Sequence, residues 1–438
     1  MSSASLAIFR VAFGVAVTVN SVRYITEFVG EYYVDPEFHF SYGRLHFVEP
    51  LPGNGMYAVY GAMAVTGIMI AVGWSYRFAA WSFFVLTTYV FLADSTYYQN
   101  HEYLISLLAL MLALLPAQAR WSLDARRRPE RSSTTVAAWN IWLLRFQIGV
   151  PYFFGGVAKL NADWLHGEPL RGWLANRSGV AAIHAVLTNE TVVWVMTYGA
   201  LLLDLSVVWL LLYRRTRMPA FIIVTCFHLM NAWLFGLHIF PWLMIAATTI
   251  YFAPDWPEQL GRRLFTLTGR FGAVSERPAP PAPPAAGAAR RSPVLVVFFV
   301  VWVVIQVVIP LRHYVAPGPA SWTEAGHRFA WHMRLRHKVG TAAFEVTTDE
   351  QTWVVDPHDL LSDKQAHLLV GNPERLAQFA RHLSQEYGGA QVRVETSVSL
   401  NGREPQPIVD SSIDLASQRL PWWRTPSWVV PLETPLRR

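Results

Sequence analysis

Nine apolar runs, the longest of 22 residues, fill the first 310 positions of this chain. A helix rises about 1.5 Å per residue and crosses the roughly 30 Å hydrocarbon core of a bilayer in about 20 residues. Lipid offers no hydrogen bonds to the backbone, so such runs must cross as helices. Charge agrees. Only 15% of the residues are charged, against about 25% in soluble domains. The spans are expected at about 6–22, 56–72, 78–92, 103–115, 138–157, 192–213, 220–237, 239–252 and 294–309. The first carries Arg10 and Asn20. No cleavage site follows it, so it is read as a helix that stays. The eighth is short enough to be re-entrant. The expected fold class is an all-α polytopic membrane domain of about nine transmembrane helices, followed by a β-rich extracytoplasmic domain.

Basic residues set the orientation. With the N-terminus inside, alternate loops carry Arg77, Arg126 to Arg128, then Arg214, Arg215 and Arg217, then Arg262, Arg263, Arg270, Arg290 and Arg291. The first opposite loop is mixed, with Glu27, Glu31, Asp35, Glu37 and Glu49. This alternation needs an odd number of spans and puts residues 310–438 outside the cytoplasm. The +6 net charge is thus a topology signal. The partner it implies is the lipid bilayer, with no nucleic acid.

The domains divide as 1–309 and 310–438. The Pro/Ala-rich stretch 277–293 is a cytoplasmic tether without core-forming residues. In the outer domain, 343–355 and 391–400 alternate like strands, Asn401-Gly402 is a turn, and 373–387 reads as a helix ended by Gly388-Gly389. The lone cysteine, Cys226, excludes an intramolecular disulfide and is expected to be a core thiol.

Ionisable residues inside spans need partners or functions. Arg145 and Asp204 stand at equal depth in spans five and six, which predicts a structural ion pair; a proton relay is the alternative. The fourteen histidines lack metal-ligand spacing: no HxxxH or HExxH occurs, and His327, His332 and His337 are five apart. No metal is expected. Asn100 and His101 begin the fourth span on the same side as Lys159, which ends the fifth. Burial disfavours an ammonium, so a buried lysine can serve as a neutral base in a pocket reached from the membrane, suited to a lipid-soluble quinol. The alternative is a lysine that snorkels to the surface beside a helix-capping Asn-His.

At these residues the chain resembles the vitamin K-dependent gamma-glutamyl carboxylase family, whose membrane part is called the HTTM domain. The likeness is carried in order by Ile8–Gly14, Asn100-His101-Glu102-Tyr103-Leu104, Lys159-Leu160-Asn161-Ala162-Asp163-Trp164, Leu201 to Ser206, and Phe227-His228-Leu229-Met230-Asn231. In the outer domain it continues through Trp322-Thr323, Trp331 and Arg424-Thr425-Pro426-Ser427-Trp428. The resemblance implies oxygen-dependent conversion of reduced vitamin K (phylloquinol or menaquinol) to its epoxide. Coupled to it is addition of carbon dioxide to a glutamate side chain of a protein or peptide substrate. It implies Lys159 as the base, His101 and Asn100 as its active-site neighbours, and substrate contacts at Trp322, Trp331, His327, Arg336, Arg424, Trp428 and His228. No metal is required.

Departures are also present. Ala158 replaces the first of two adjacent lysines, and the cysteine pair of the animal enzymes is absent. His327, Ala330 and Arg336 replace a Tyr, a Ser and a His tied to glutamate handling, with Arg336 a candidate carboxylate ligand. Three readings follow: a carboxylase with coupled epoxidation, a quinol oxygenase that does not carboxylate protein, and a non-catalytic membrane binding protein. Composition points to a bacterial plasma membrane.

Overall fold

The computed structural model describes residues 1–43, 45–177, 181–268, 293–419 and 424–436. Seven helices in it are long and apolar enough to cross a membrane: Ala4–Glu27, Gly55–Val72, Tyr76–Ala93, Ala138–Ala158, Glu190–Leu212, Arg217–Phe235 and Pro293–Leu311. Two shorter apolar helices, Asn100–Leu114 and Ile239–Thr248, occupy the fourth and eighth expected spans. The tether at 277–293 lies, except for Pro293, outside the described residues, as do Arg270, Arg290, Arg291, Trp422 and Trp423.

Arg10 and the Asn20 amide nitrogen find hydrogen-bond partners inside the bundle. Arg10 is fully buried and donates to the carbonyls of Ile70 and Ala71 at 2.6 Å, Ala117 at 3.1 Å and Trp121 at 2.6 Å. The Ile70 and Ala71 carbonyls belong to the last turn of the second helix, where carbonyls lack intrahelical partners and a cation is favoured. Asn20 donates to Glu102 at 3.2 Å. Gln147 joins span five to span nine, donating to Gln306 at 3.2 Å and accepting from the Trp302 indole at 3.1 Å. Such bonds tie helices that gain nothing from hydrophobic contrast with lipid.

Two sets of loops gather at opposite ends. At one, the Met1 amine donates to Val136, Ser3 N–H to Thr134, and Ser5 N–H to Pro254. Arg120 pairs there with Glu258. At the other, the first outer loop, the 94–98 turn and the loop after Lys159 meet the C-terminal domain. Gln378 accepts from Ser41 N–H at 3.0 Å, Arg375 donates to Ser95 O at 2.7 Å, and Arg403 grips Asp163 through two 2.6 Å contacts. This is the grouping that the alternating basic loops demand.

The outer domain is a three-stranded antiparallel sheet, order β2-β1-β3, with β1 Lys338–Thr347, β2 Thr352–Val355 and β3 Gln391–Leu400. Strand side chains alternate between faces. Phe344 and Val346 of β1 therefore share the buried face with their partners Val394 and Val392. Helix Pro373–Glu386 covers that face with Leu376, Phe379 and Leu383. The single strand expected at 343–355 is a hairpin instead. Thr348 N–H donates to Gln351 O, closing a turn at the polar run Thr348-Asp349-Glu350-Gln351. Phe40 of the first outer loop completes this core. Cys226 is not a core thiol: it is exposed on its helix.

Candidate active site

The site begins where the Ala138–Ala158 helix ends. Lys159 is its C-cap, and three later residues of the Lys159–Trp164 motif, Asn161, Asp163 and Trp164, have structural tasks. Asn161 caps the short Ala162–Leu165 helix by accepting from Trp164 N–H at 3.0 Å. Asp163 takes the Arg403 guanidinium and the Asn401 amide. Trp164 donates its indole N–H to Thr197 O at 3.1 Å and lays its ring 5.1 Å from the Lys159 Nζ. Lys159 does not snorkel. It is 5% exposed and its Nζ lies 2.6 Å from Oδ2 of Asp204, which is 3% exposed.

Gly156 sets that approach, and Gly155 leaves room for Met333, whose Cε would lie 2.8 Å from an added Cβ. A Cβ on Gly155 would lie 3.5 Å from Asp204 Oδ2, and one on Gly156 would lie 3.0 Å from the Leu205 backbone N. The Glu190–Leu212 helix thus packs directly on the fifth helix's backbone, as small residues permit between membrane helices.

The expected Arg145–Asp204 pair is therefore wrong. Each residue stands about two turns from its helix's inner end, but the helices are not flush. Gly149 meets Val208 and Gly155 meets Asp204, so Asp204 faces the outer part of the fifth helix. Arg145 instead donates to the carbonyls of Ile250 and Phe252, each at 2.9 Å. Depth counted from helix ends carries no information on axial offset between helices.

Lys159 and Asp204 line an apolar cavity with Tyr152, Phe227, Phe240, Met230 and Met244. His228 also lines it, held at 2.6 Å by the Tyr152 hydroxyl. Met333 and Arg334 close it from the C-terminal domain. His101 lines an adjoining, more polar cavity with Arg23, Tyr24 and Gln99. Phe235, Leu237, Phe240 and Arg334 belong to both walls, and the Phe240 ring lies 6.0 Å from those of His101 and His228. Lys159, His228 and His101 are thus brought to one region. Asn100 is not among them; it donates to His332 O at 3.1 Å and so ties down the outer domain.

The outer-domain candidates separate into two groups. Trp331 is buried at the junction, its ring 5.0 Å from Tyr103. Phe329, Trp331 and Arg334 all have positive φ (61°, 58° and 54°), a strained conformation for side-chain-bearing residues that concentrates at functional sites. Trp322 and Trp428, by contrast, lie in the outer core, the Trp322 indole donating to Val430 O at 2.7 Å. Neither lines the described cavities, because a hydrophobic core claimed both rings. Arg424 is exposed and lines neither described cavity.

Arg336 does not present a free guanidinium. Its Nε lies 2.8 Å from Glu324, which also takes Lys338 at 2.7 Å, and it contacts His327. Burial would raise the Glu324 carboxyl, but Arg336 and Lys338 outweigh it and hold the group below the usual range. Burial, then the Arg336 and His332 charges, pushes His327 well down. Burial and the charges of His313, Arg336 and Arg312 bring His332 to about 3. Sequence spacing separated these histidines; the fold puts their Nδ1 atoms 3.1 Å apart.

Spacing did not reveal Asp204 as the lysine's partner, nor Met333 and Arg334 as cavity walls. The adjacent glycines Gly155-Gly156, one turn before Lys159, were the available signal for close helix approach.

Compared with known families, residues 1–256 match the HTTM domain and residues 291–435 match the lumenal domain of vitamin K-dependent gamma-carboxylase. No solved structure matches the chain.

Proposed function

The chain belongs to the vitamin K-dependent gamma-carboxylase family, and from that premise we propose that it adds carbon dioxide to glutamate side chains of a protein substrate. In this reading reduced vitamin K, as phylloquinol or menaquinol, is converted to its epoxide by oxygen in the same cycle. The observation that carries the reading is the buried Lys159 amine at the wall of an apolar cavity.

The lining fits a flat aromatic alcohol with an apolar tail. Phe227, Phe240, Met230 and Met244 supply apolar surface, and Lys159 supplies a proton acceptor. Reduced vitamin K, when bound, supplies with oxygen the strong base that takes the γ-hydrogen from glutamate. The protein's part is to start and shelter that chemistry. Lys159 Nζ receives the hydroxyl proton. Trp164 and the apolar walls keep out water that would quench a strong base. Met333 and Arg334 come from the outer domain, so a glutamate presented there meets the membrane-facing cavity at its rim. His101, across Phe240, is a polar group at the same rim.

The outer domain then faces away from the cytoplasm, and a bacterial plasma membrane suits the composition. The engagement of Arg336 by Glu324 favours one second reading, in which the quinol is oxidised without carboxylation of protein. The test is incubation of the purified protein with reduced vitamin K, oxygen, labelled bicarbonate and a glutamate-rich peptide. Labelled peptide and epoxide, both lost in Lys159→Ala, are the expected result. Epoxide alone selects the second reading. Full activity in Lys159→Ala would remove Lys159 as the base.

A further inference from the structure

Lys159 is not a solitary amine. An ammonium has three donor positions. Two are used within the protein, on Asp204 Oδ2 at 2.6 Å and on Gly155 O at 3.3 Å, which leaves one for the cavity that the residue lines. Both side chains are buried, and Arg145, the other nearby cation in sequence terms, is spent on backbone carbonyls. Among the described residues Lys159 is the sole hydrogen-bond partner of the Asp204 carboxylate.

We propose that Asp204 is the second proton-holding site of the base, so that the Lys159–Asp204 pair accepts the proton that Lys159 alone would have to take as a neutral amine. This rests on the reading of Lys159 given above. Opposite charges and burial act against each other in such a pair. Its shared proton therefore belongs to the pair and not to either residue. Wherever that proton rests, the pair has room for one more. The substrate O–H bond breaks and its proton forms a new N–H bond at Lys159 Nζ, while Nζ passes one of its own protons to Asp204 Oδ2. The substrate oxygen keeps the electron pair beside an ammonium that is still charged. No proton need first be lost from Lys159 to water. Asp204 acts through Lys159 and is a positioning residue in that sense. Gly156 serves the same end by bringing its helix close.

The test uses the full chain in lipid nanodiscs, without oxygen, and phylloquinol as probe. Infrared difference spectra of the wild-type protein should reveal a protonated carboxyl in the loaded state, shifted by deuterium exchange and absent in Asp204→Asn. With oxygen, Asp204→Asn should lower epoxide formation about 100-fold, the low end for loss of an acid–base partner, while Asp204→Glu recovers most of it. In a Lys159→Ala background the same change should add less than about threefold, as residues acting as one unit do. If Asp204→Asn fails to fold, the wild-type spectrum and Asp204→Glu decide. A loaded wild-type protein without a protonated carboxyl overturns the proposal, as does an Asp204→Asn protein of wild-type activity. If Lys159→Ala is inactive in that case, only the role of Asp204 falls; if it is active, the base assignment falls too.

Discussion

Replacing Gly156 by alanine adds one methyl where two helices touch. Its Cβ would lie 2.8 Å from Cγ and Cδ2 of Leu205 and 3.0 Å from the Leu205 backbone N. Carbon contacts are comfortable at about 3.5–4.0 Å. The leucine side chain can turn aside, but the backbone N cannot, so the helix must back away by a few tenths of an ångström. Overpacking of this kind costs about 1–3 kcal/mol. Asp204 rides on the displaced helix one residue from the clash, so its 2.6 Å contact with Lys159 opens by a similar amount. A misplacement of about 1 Å in catalytic geometry can cost about 100-fold in rate, so this smaller shift should cost about 3- to 10-fold. The control is Gly199→Ala on the same helix, where an added Cβ meets nothing within 4 Å. There the change should be neutral or stabilise by about 0.5–1 kcal/mol through helix propensity. Thermal unfolding in detergent and epoxide formation, measured side by side, separate the two glycines. Equal stability and equal activity in both variants would refute the claim that close approach at Gly156 sets the Lys159–Asp204 geometry.

Two further predictions concern the outer domain. His332 is depressed in the folded protein to about 3, so between there and its ordinary value of about 6.5 the unfolded chain binds more protons. Its contribution is therefore complete above about pH 6.5 and lost as pH falls toward 3, with His327 acting in the same direction. Thermal stability should drop on acidification through this window, and His332→Gln should flatten the slope; an unchanged slope counts against the assignment. Asp163→Ala removes the carboxylate from a mostly buried Arg403. Loss of one partner from a buried pair costs about 3–5 kcal/mol, and partial exposure here points to the lower end. Limited proteolysis should release the C-terminal domain faster from this variant than from Asn161→Ala, which removes a helix cap and a bond to Ala158 O but no contact with the C-terminal domain.

The order of the apolar helices was legible because hydropathy is a local property. A run of apolar residues long enough for the bilayer has one low-energy solution, and basic loops report the side on which it ends. Arg10 and Asn20 weakened the first span on paper, yet each found a buried partner. The outer domain's third strand and covering helix were legible from alternation and capping. The hairpin at 348–351 was missed because alternating residues continue across it.

The candidate site divides along the same line. The family resemblance singled out His228, and chain order put Lys159 and His101 on one side of the membrane. It could not pair charges between helices, since periodicity within a helix says nothing of the offset to its neighbour. Asp204 was assigned to Arg145 on depth, whereas glycine contacts place it against Lys159. The indoles of Trp322 and Trp428 were read as substrate contacts and are core. Sequence determined which segments are apolar enough to cross the membrane and placed Lys159 and His101 at one end of the bundle, because burial in lipid is decided residue by residue. Only the tertiary structure decided which carboxylate meets the lysine and which outer-domain residues close the cavity, because those contacts depend on how far two backbones can approach and slide.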